Sequence, residues 1–296
     1  MLARPEEGSI ASNFKTFNQS PGLAKHLSKL ARLAGKLHHH PCPVHRSVVV
    51  RSPATSANLG PGFDIFAMAL TRPYDDFRIE IASDGLTFEV TGPYAGAIPT
   101  DPQSNVAGFV ARHMLDMFGI EAGLRVHIRK NIRPRSGLGS SAAGAMAMAG
   151  AIDRMFNLGL TTTELIEWAA LGELLSGGVP HVDNVSAAFL GGFIVITCRE
   201  PLEVVRYDPH PSLRVVLAVP DVDKESTQAS RDAVGTRIAI TKAEAMLALQ
   251  EACGIITGRV EDIISATRSP THIEAKREAA GFYRYLTELK EIGRRF

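Results

Sequence analysis

β-branched content and alternation of apolar with polar positions mark Ser47–Arg51, Phe77–Ala82, Leu86–Val90 and Leu124–Lys130 as strands. A helical period takes over in Asn105–Phe118, Ser141–Phe156 and Thr161–Ser176. The last of these carries its own punctuation: Thr161 and Glu164 are spaced as a capping box, and Gly177-Gly178 is a stop. Further strands are predicted at Gly192–Thr197, Glu203–Tyr207 and Leu213–Val219, then helical segments around Lys242–Ile256 and Glu274–Ile292. Strands and helices interleave without a steady βαβ rhythm, so the pattern favours an α+β fold over a doubly wound sheet. No internal repeat is present. Upstream, leucines at 23, 27, 30, 33 and 37 recur at helical spacing and predict one short amphipathic helix.

Composition narrows the partners. Lys plus Arg (32) nearly equals Asp plus Glu (31), which removes the global basic field that nucleic acid or an anionic membrane would favour. The three cysteines, Cys42, Cys198 and Cys253, are far apart, as in a reducing compartment and unlike a disulfide framework. No apolar run approaches the ~20 residues of a membrane span. A soluble, cytoplasmic protein of one large or two ordinary domains is expected. Residues 1–46 are basic, with only Glu6 and Glu7 as acids, and are expected to form a poorly ordered extension. The tract from His38 to His45 has metal-binding residue types, but Pro41 and Pro43 prevent regular presentation, and its composition is read as incidental.

The chemistry concentrates in three places. Arg135-Ser136-Gly137-Leu138-Gly139-Ser140-Ser141-Ala142-Ala143 lies between a strand and a helix. Such a loop presents free backbone N–H groups and the positive end of the helix dipole, a natural phosphate site. Without Lys-Ser or Lys-Thr after the second glycine it is not a Walker loop, and as a dinucleotide fingerprint it is loose and deep in the chain. Asn58 and Asp64 are polar residues in the small-residue loop Asn58-Leu59-Gly60-Pro61-Gly62-Phe63-Asp64, suited to a small polar ligand or to side-chain turns. Glu173, followed by His181-Val182-Asp183-Asn184 after a Gly-Gly-Val-Pro turn, offers a magnesium ligand, hydrogen bonds and a base.

Together the three motifs resemble the homoserine kinases of the GHMP small-molecule kinase superfamily, over about Ser47 to Arg231. The resemblance implies a two-domain fold: a mixed α/β ATP-binding domain over 47–200 and a ferredoxin-like α+β domain over 201–296. It implies ATP and Mg2+ as cofactors and L-homoserine as acceptor, the product being O-phospho-L-homoserine for threonine synthesis. Pro134, Arg135, Ser136, Gly137, Leu138, Gly139, Ser140, Ser141, Ala142, Ala143 and Gly144 would wrap the ATP phosphates. Lys130 would lie beside them and Asn105 at the adenine side, while Ser141 and Glu173 would hold magnesium. Asn58, Asp64 and His181 would line the acceptor pocket, with Asp183 and Asn184 beside it. Arg231 and Arg277 would face the amino-acid carboxylate, a task that suits a planar guanidinium. Asn58 would orient the attacking hydroxyl, and Asp183 is the candidate base. Members of that family are often dimers, so a homodimer is the assembly the resemblance allows.

The family's third motif, of the Ser-Gly-[Ser/Ala]-Gly-Pro type, is missing before Phe296, so the chain is expected to be truncated and weakly active. The competing readings are another GHMP kinase acting on a different alcohol such as mevalonate or shikimate, a non-catalytic ligand sensor, and a dinucleotide oxidoreductase.

Overall fold

One long strand, β2 (Phe66–Ala82), is the spine of a six-stranded mixed sheet. The computed structural model describes residues 21–35, 41–59, 62, 64–178 and 180–217. Across β2 lie β1 (Ser47–Ala57) on one edge, and β4 (Gly123–Arg129) and β5 (Phe193–Arg199) along different halves of the other, all antiparallel to it. β3 (Leu86–Thr91) runs parallel to β4, and β6 (Leu202–Tyr207) forms an antiparallel pair with β5. Alternation decides the faces. Phe77 and Ile79 of β2 stand beside Ile128 and Val126 of β4 in the buried layer, while Arg78 and Arg125 point to solvent.

The helices cover the buried face. In chain order they are α1 (Pro21–Ala34), α2 (Val106–Met117), α3 (Ser140–Phe156), α4 (Thr162–Gly177) and the short α5 (Asp183–Leu190). α3 is central and apolar on nearly every side, with Ala142, Ala145, Ala149 and Ile152 all inaccessible to solvent. Its small side chains let neighbours approach closely. A methyl group added at Gly172 of α4 would stand 2.7 Å from Ala145 Cβ and 2.7 Å from Val106 Cγ1, a separation packed atoms do not reach.

The expected capping box is present. Thr161 Oγ1 accepts from the Glu164 N–H at 3.3 Å, and the Glu164 carboxylate accepts from the Thr161 N–H at 2.9 Å. Thr161→Ala is therefore expected to destabilise the protein by about 1 kcal/mol in urea unfolding, the usual cost of a lost N-cap.

Several expected boundaries move. β1 does not turn into a loop after Arg51: Thr55, Ser56 and Ala57 pair with Ala69, Met68 and Ala67. The ladder slips between Pro53 and Thr55, where β2 carries extra residues, and such an irregularity accommodates a proline without a donor. His181-Val182-Asp183-Asn184, read as a turn, leads straight into α5, a helix too short to declare a period. Residues 213–217 form no strand, and Ala218 and Val219 of that expected segment lie outside the described residues, as do the helical segments at 242–256 and 274–292.

Two structural features lie at the expected domain limits. Within residues 1–46, α1 is packed rather than poorly ordered. Leu23 and Leu30 are buried, Lys29 Nζ pairs with Glu167 Oε1 at 2.6 Å, and a ring nitrogen of His26 meets the Glu167 carbonyl at 2.9 Å. At the other end the sheet continues past residue 200 through β6, which pairs with β5. No helix among the described residues is long and apolar enough to cross a membrane.

Candidate active site

The Gly-Ser loop is held from both ends. At its root, Asp75 of β2 is wholly buried and accepts from the N–H groups of Asn131 (2.7 Å) and Ile132 (2.8 Å) through Oδ1. Its other oxygen pairs with the Lys130 ammonium. At the tip, Leu138 inserts into a small apolar cluster with Ala54, Leu70, Ile132 and Ala143. Between these anchors the backbone is left-handed at Arg135 (φ 58°), Gly137 (φ 77°) and Gly139 (φ 62°). Gly139 is the N-cap of α3 and supplies no capping side chain, so the first-turn N–H groups of Ser140, Ser141 and Ala142 stay available to an anion. A glycine is required at 139 twice over, since a Cβ would also stand 1.9 Å from Thr55 Oγ1.

Beneath the start of α3, Glu173 of α4 is 7% exposed and in contact with the Ser141 hydroxyl. Burial pushes its carboxyl up to about 7; the Ser141 hydrogen bond opposes this and the nearby Asp183 charge adds to it. Among the described residues, Glu173 Oε1 has no hydrogen-bond partner. An orphaned, desolvated carboxylate oxygen beside a hydroxyl and a second carboxylate is a donor set that fits a hard divalent cation. The residues present therefore suit magnesium.

The acceptor-side residues converge on the same place. Asn58 Oδ1 accepts from the Asp64 N–H at 2.8 Å, and both residues have positive φ (59° and 58°), so this loop does use a side-chain turn. Asp64 Oδ1 lies 3.7 Å from His181 Nδ1. Asp183, 3% exposed at the start of α5, accepts from the Asn184 N–H at 2.7 Å and from Asn184 Nδ2 at 3.2 Å. Thr55 Oγ1 donates to Asn184 Oδ1 at 2.7 Å. Residues from β1, α3, α4 and α5 thus meet beside the Gly-Ser loop, with Asn58 and Asp64 joined to them through His181.

Two expected roles are modified. Lys130 does not offer its ammonium to the loop: it is 3% exposed and committed to Asp75, and burial pulls its pKa below the usual lysine range against the pull of that carboxylate. Asn105 caps α2, its Oδ1 accepting from the Ala107 and Gly108 N–H groups while Nδ2 donates to the Pro99 carbonyl. Its carbonyl oxygen is thus used in that cap. Arg231 and Arg277 lie outside the described residues, as do Gly60, Pro61, Phe63 and His38–His40.

Asp75 and Thr55 are the residues that sequence reasoning passed over. For Asp75 a signal existed: with Phe77 and Ile79 it occupies alternate, inward positions of one strand, where a carboxylate requires a partner. Thr55 gives no such sign, because a small hydroxyl in a strand is ordinary.

Comparison with known proteins gives a consistent picture. The family described as GHMP kinases N terminal domain matches residues 105–192. A homoserine kinase of Methanococcus maripaludis is 44% identical over 195 residues, covering 66% of this chain and 64% of that protein. The chain thus spans just under two thirds of the length of the curated relatives it matches, 64% for this one. Among solved structures, a homoserine kinase from Cytophaga hutchinsonii superposes with a TM-score of 0.61 at 27% identity, covering 78% of this chain and 72% of that one. The L. major mevalonate kinase is alike in fold only, with a TM-score of 0.58 at 16% identity over 80% of this chain and 78% of that one.

Proposed function

We propose that the chain is an ATP-dependent homoserine kinase of the GHMP kinases, whose N terminal domain family matches residues 105–192. The observation that carries this reading is that the turn holding Asp183 and Asn184 meets the Gly-Ser loop at Gly139 and Thr55, with His181 beside Asp64 and Asp64 bonded to Asn58. A loop suited to phosphate with carboxylates and amides beside it fits transfer to a small polar alcohol bearing its own charges. The L-homoserine ammonium finds Asp64, and its hydroxyl finds the amide and carboxylate of Asn184 and Asp183.

Phosphoryl transfer passes through a loose transition state, so the protein contributes position and electrostatics. The N–H groups of Ser140, Ser141 and Ala142, with the α3 dipole behind them, hold the phosphate oxygens and take up charge developing on them. Asp183 would accept the acceptor's proton, and Asn58, which takes the Asp64 N–H on its Oδ1, would orient the attacking hydroxyl. Glu173 and Ser141 would hold Mg2+, which when bound neutralises phosphate charge as a Lewis acid. Arg231 and Arg277 remain the candidates for the amino-acid carboxylate. A cytoplasmic location accords with Cys42 and Cys198 being free thiols. A homodimer is the assembly we propose.

The test is ADP release by the purified protein with ATP, Mg2+ and a panel of alcohols including L-homoserine, mevalonate and shikimate. L-Homoserine is expected to give the highest kcat/KM, and preference for another alcohol would refute the assignment. Asp64→Ala is expected to raise the homoserine KM by about tenfold or more, the value of one charge-assisted contact, while the ATP KM stays near wild type.

A further inference from the structure

The nucleotide and acceptor halves of the site meet at one buried hydroxyl. Thr55 of β1 has no solvent exposure. Its N–H donates to the Leu138 carbonyl at 3.1 Å, within the phosphate loop. Its Oγ1 donates to Asn184 Oδ1 at 2.7 Å, in the first turn of α5. Gly139 lies against the same hydroxyl, with room for no Cβ: one built there would be 1.9 Å from Thr55 Oγ1 and 3.0 Å from Asn184 Oδ1. Three segments far apart in the chain are thus locked at a single side chain.

The hydrogen-bond chemistry fixes which way Asn184 points. The Asp183 carboxylate only accepts, so the Asn184 atom 3.2 Å from it is the Nδ2 donor. Oδ1 therefore faces Thr55, and the Thr55 hydroxyl has to be the donor. An amide nitrogen carries two protons; one is engaged by Asp183, which leaves the second for another acceptor. A flipped amide would present an acceptor there and set an oxygen against the Asp183 carboxylate.

We propose that Thr55 is a positioning residue: its hydroxyl holds Asn184 in one amide orientation, while its backbone N–H joins the same strand residue to the phosphate loop. Asn184 then directs a fixed N–H to the alcohol oxygen while the loop holds the phosphate, and the distance between the reacting atoms follows from one shared contact. This deepens the kinase reading above and rests on it for the identity of the alcohol.

Thr55→Val and Thr55→Ser separate the role from simple packing. Valine keeps the shape and suits a strand, but leaves Asn184 Oδ1 without its donor. Serine keeps the donor. Thr55→Val is expected to lower kcat/KM for the acceptor by about 10- to 100-fold, the effect of orphaning a buried acceptor. Its ATP KM should stay near wild type, because the Thr55 N–H to Leu138 contact is made by the backbone. Thr55→Ser should restore most of the acceptor kcat/KM. In NMR spectra, the Asn184 side-chain amide pair, assigned through Asn184→Asp, should be one sharp pair in wild type and broaden or split in Thr55→Val. Wild-type kinetics in Thr55→Val would overturn the proposal. So would an equal loss in both variants with the ATP KM rising in parallel, which marks a purely structural residue. If the wild-type protein phosphorylates none of the alcohols, the functional reading fails by itself. The Asn184 resonances still decide the proposal, and an unchanged sharp pair in Thr55→Val overturns it.

Discussion

Asp75→Ala is expected to cost the protein about 3–5 kcal/mol of stability, the range for removing one partner of a buried ion pair. The loss has two parts. Lys130, 3% exposed, would keep an ammonium in an apolar setting with its carboxylate gone, and the Asn131 and Ile132 N–H groups would lose their acceptor. A deficit of this size is a large fraction of the stability of an ordinary domain, so the variant should unfold at a markedly lower urea midpoint. Asp75→Leu with Lys130→Met should recover much of it, because a well-packed apolar pair replaces a buried ionic pair at little cost. The root of the phosphate loop would still be unanchored in that double variant, and ATP binding measured by calorimetry should be weaker than in wild type. An Asp75→Ala variant as stable as wild type would show that the pair contributes nothing.

Glu173→Gln is expected to separate stability from activity. In the metal-free protein, burial raises the Glu173 carboxyl from 4.5 to about 7. The sign follows from proton uptake. The folded state binds the proton more tightly than the unfolded state, so the associated stability is fully present below 4.5 and is lost as pH rises through about 7. Relative to Glu173→Gln, the metal-free wild type should therefore lose about 3 kcal/mol between acid and mildly alkaline pH, at 1.36 kcal/mol per pH unit. The comparison must be made between the two proteins, since burial depresses His26 and His113 and gives both proteins an additional loss of stability at acid pH. Added Mg2+ should restore wild-type stability above pH 7 and leave the Gln variant unmoved. Turnover should move the other way, falling by ~100-fold or more, because even groups behind a metal ligand are worth 10- to 100-fold. A site that keeps an uncompensated carboxylate for function is the usual origin of such opposed effects. Full activity in Glu173→Gln would remove Glu173 from the site.

What was legible in the sequence was local. The loop expected to bind phosphate needs left-handed backbone and a helix N-terminus within a few consecutive residues, and Gly137 and Gly139 are left-handed just before α3. The Thr161–Glu164 box spans one turn and was readable for the same reason. Grouping Asn58, Asp64, Glu173 and His181 required the resemblance to a known family, because no period connects them.

Elements whose existence depends on partners far along the chain were not readable. The second half of β1 is a strand because β2 supplies hydrogen bonds to Thr55–Ala57, whatever their own weak propensity. Lys130 carries the pattern of a phosphate ligand, yet a carboxylate 55 residues away takes its charge. Asn184 is oriented by a hydroxyl 129 residues away. The sequence by itself determined the chemistry of the loop and the helix and strand periods, since those depend on neighbours in the chain. The tertiary structure alone decided which charges are spent in the core and which remain for substrate, because burial and pairing are set by residues the fold brings together.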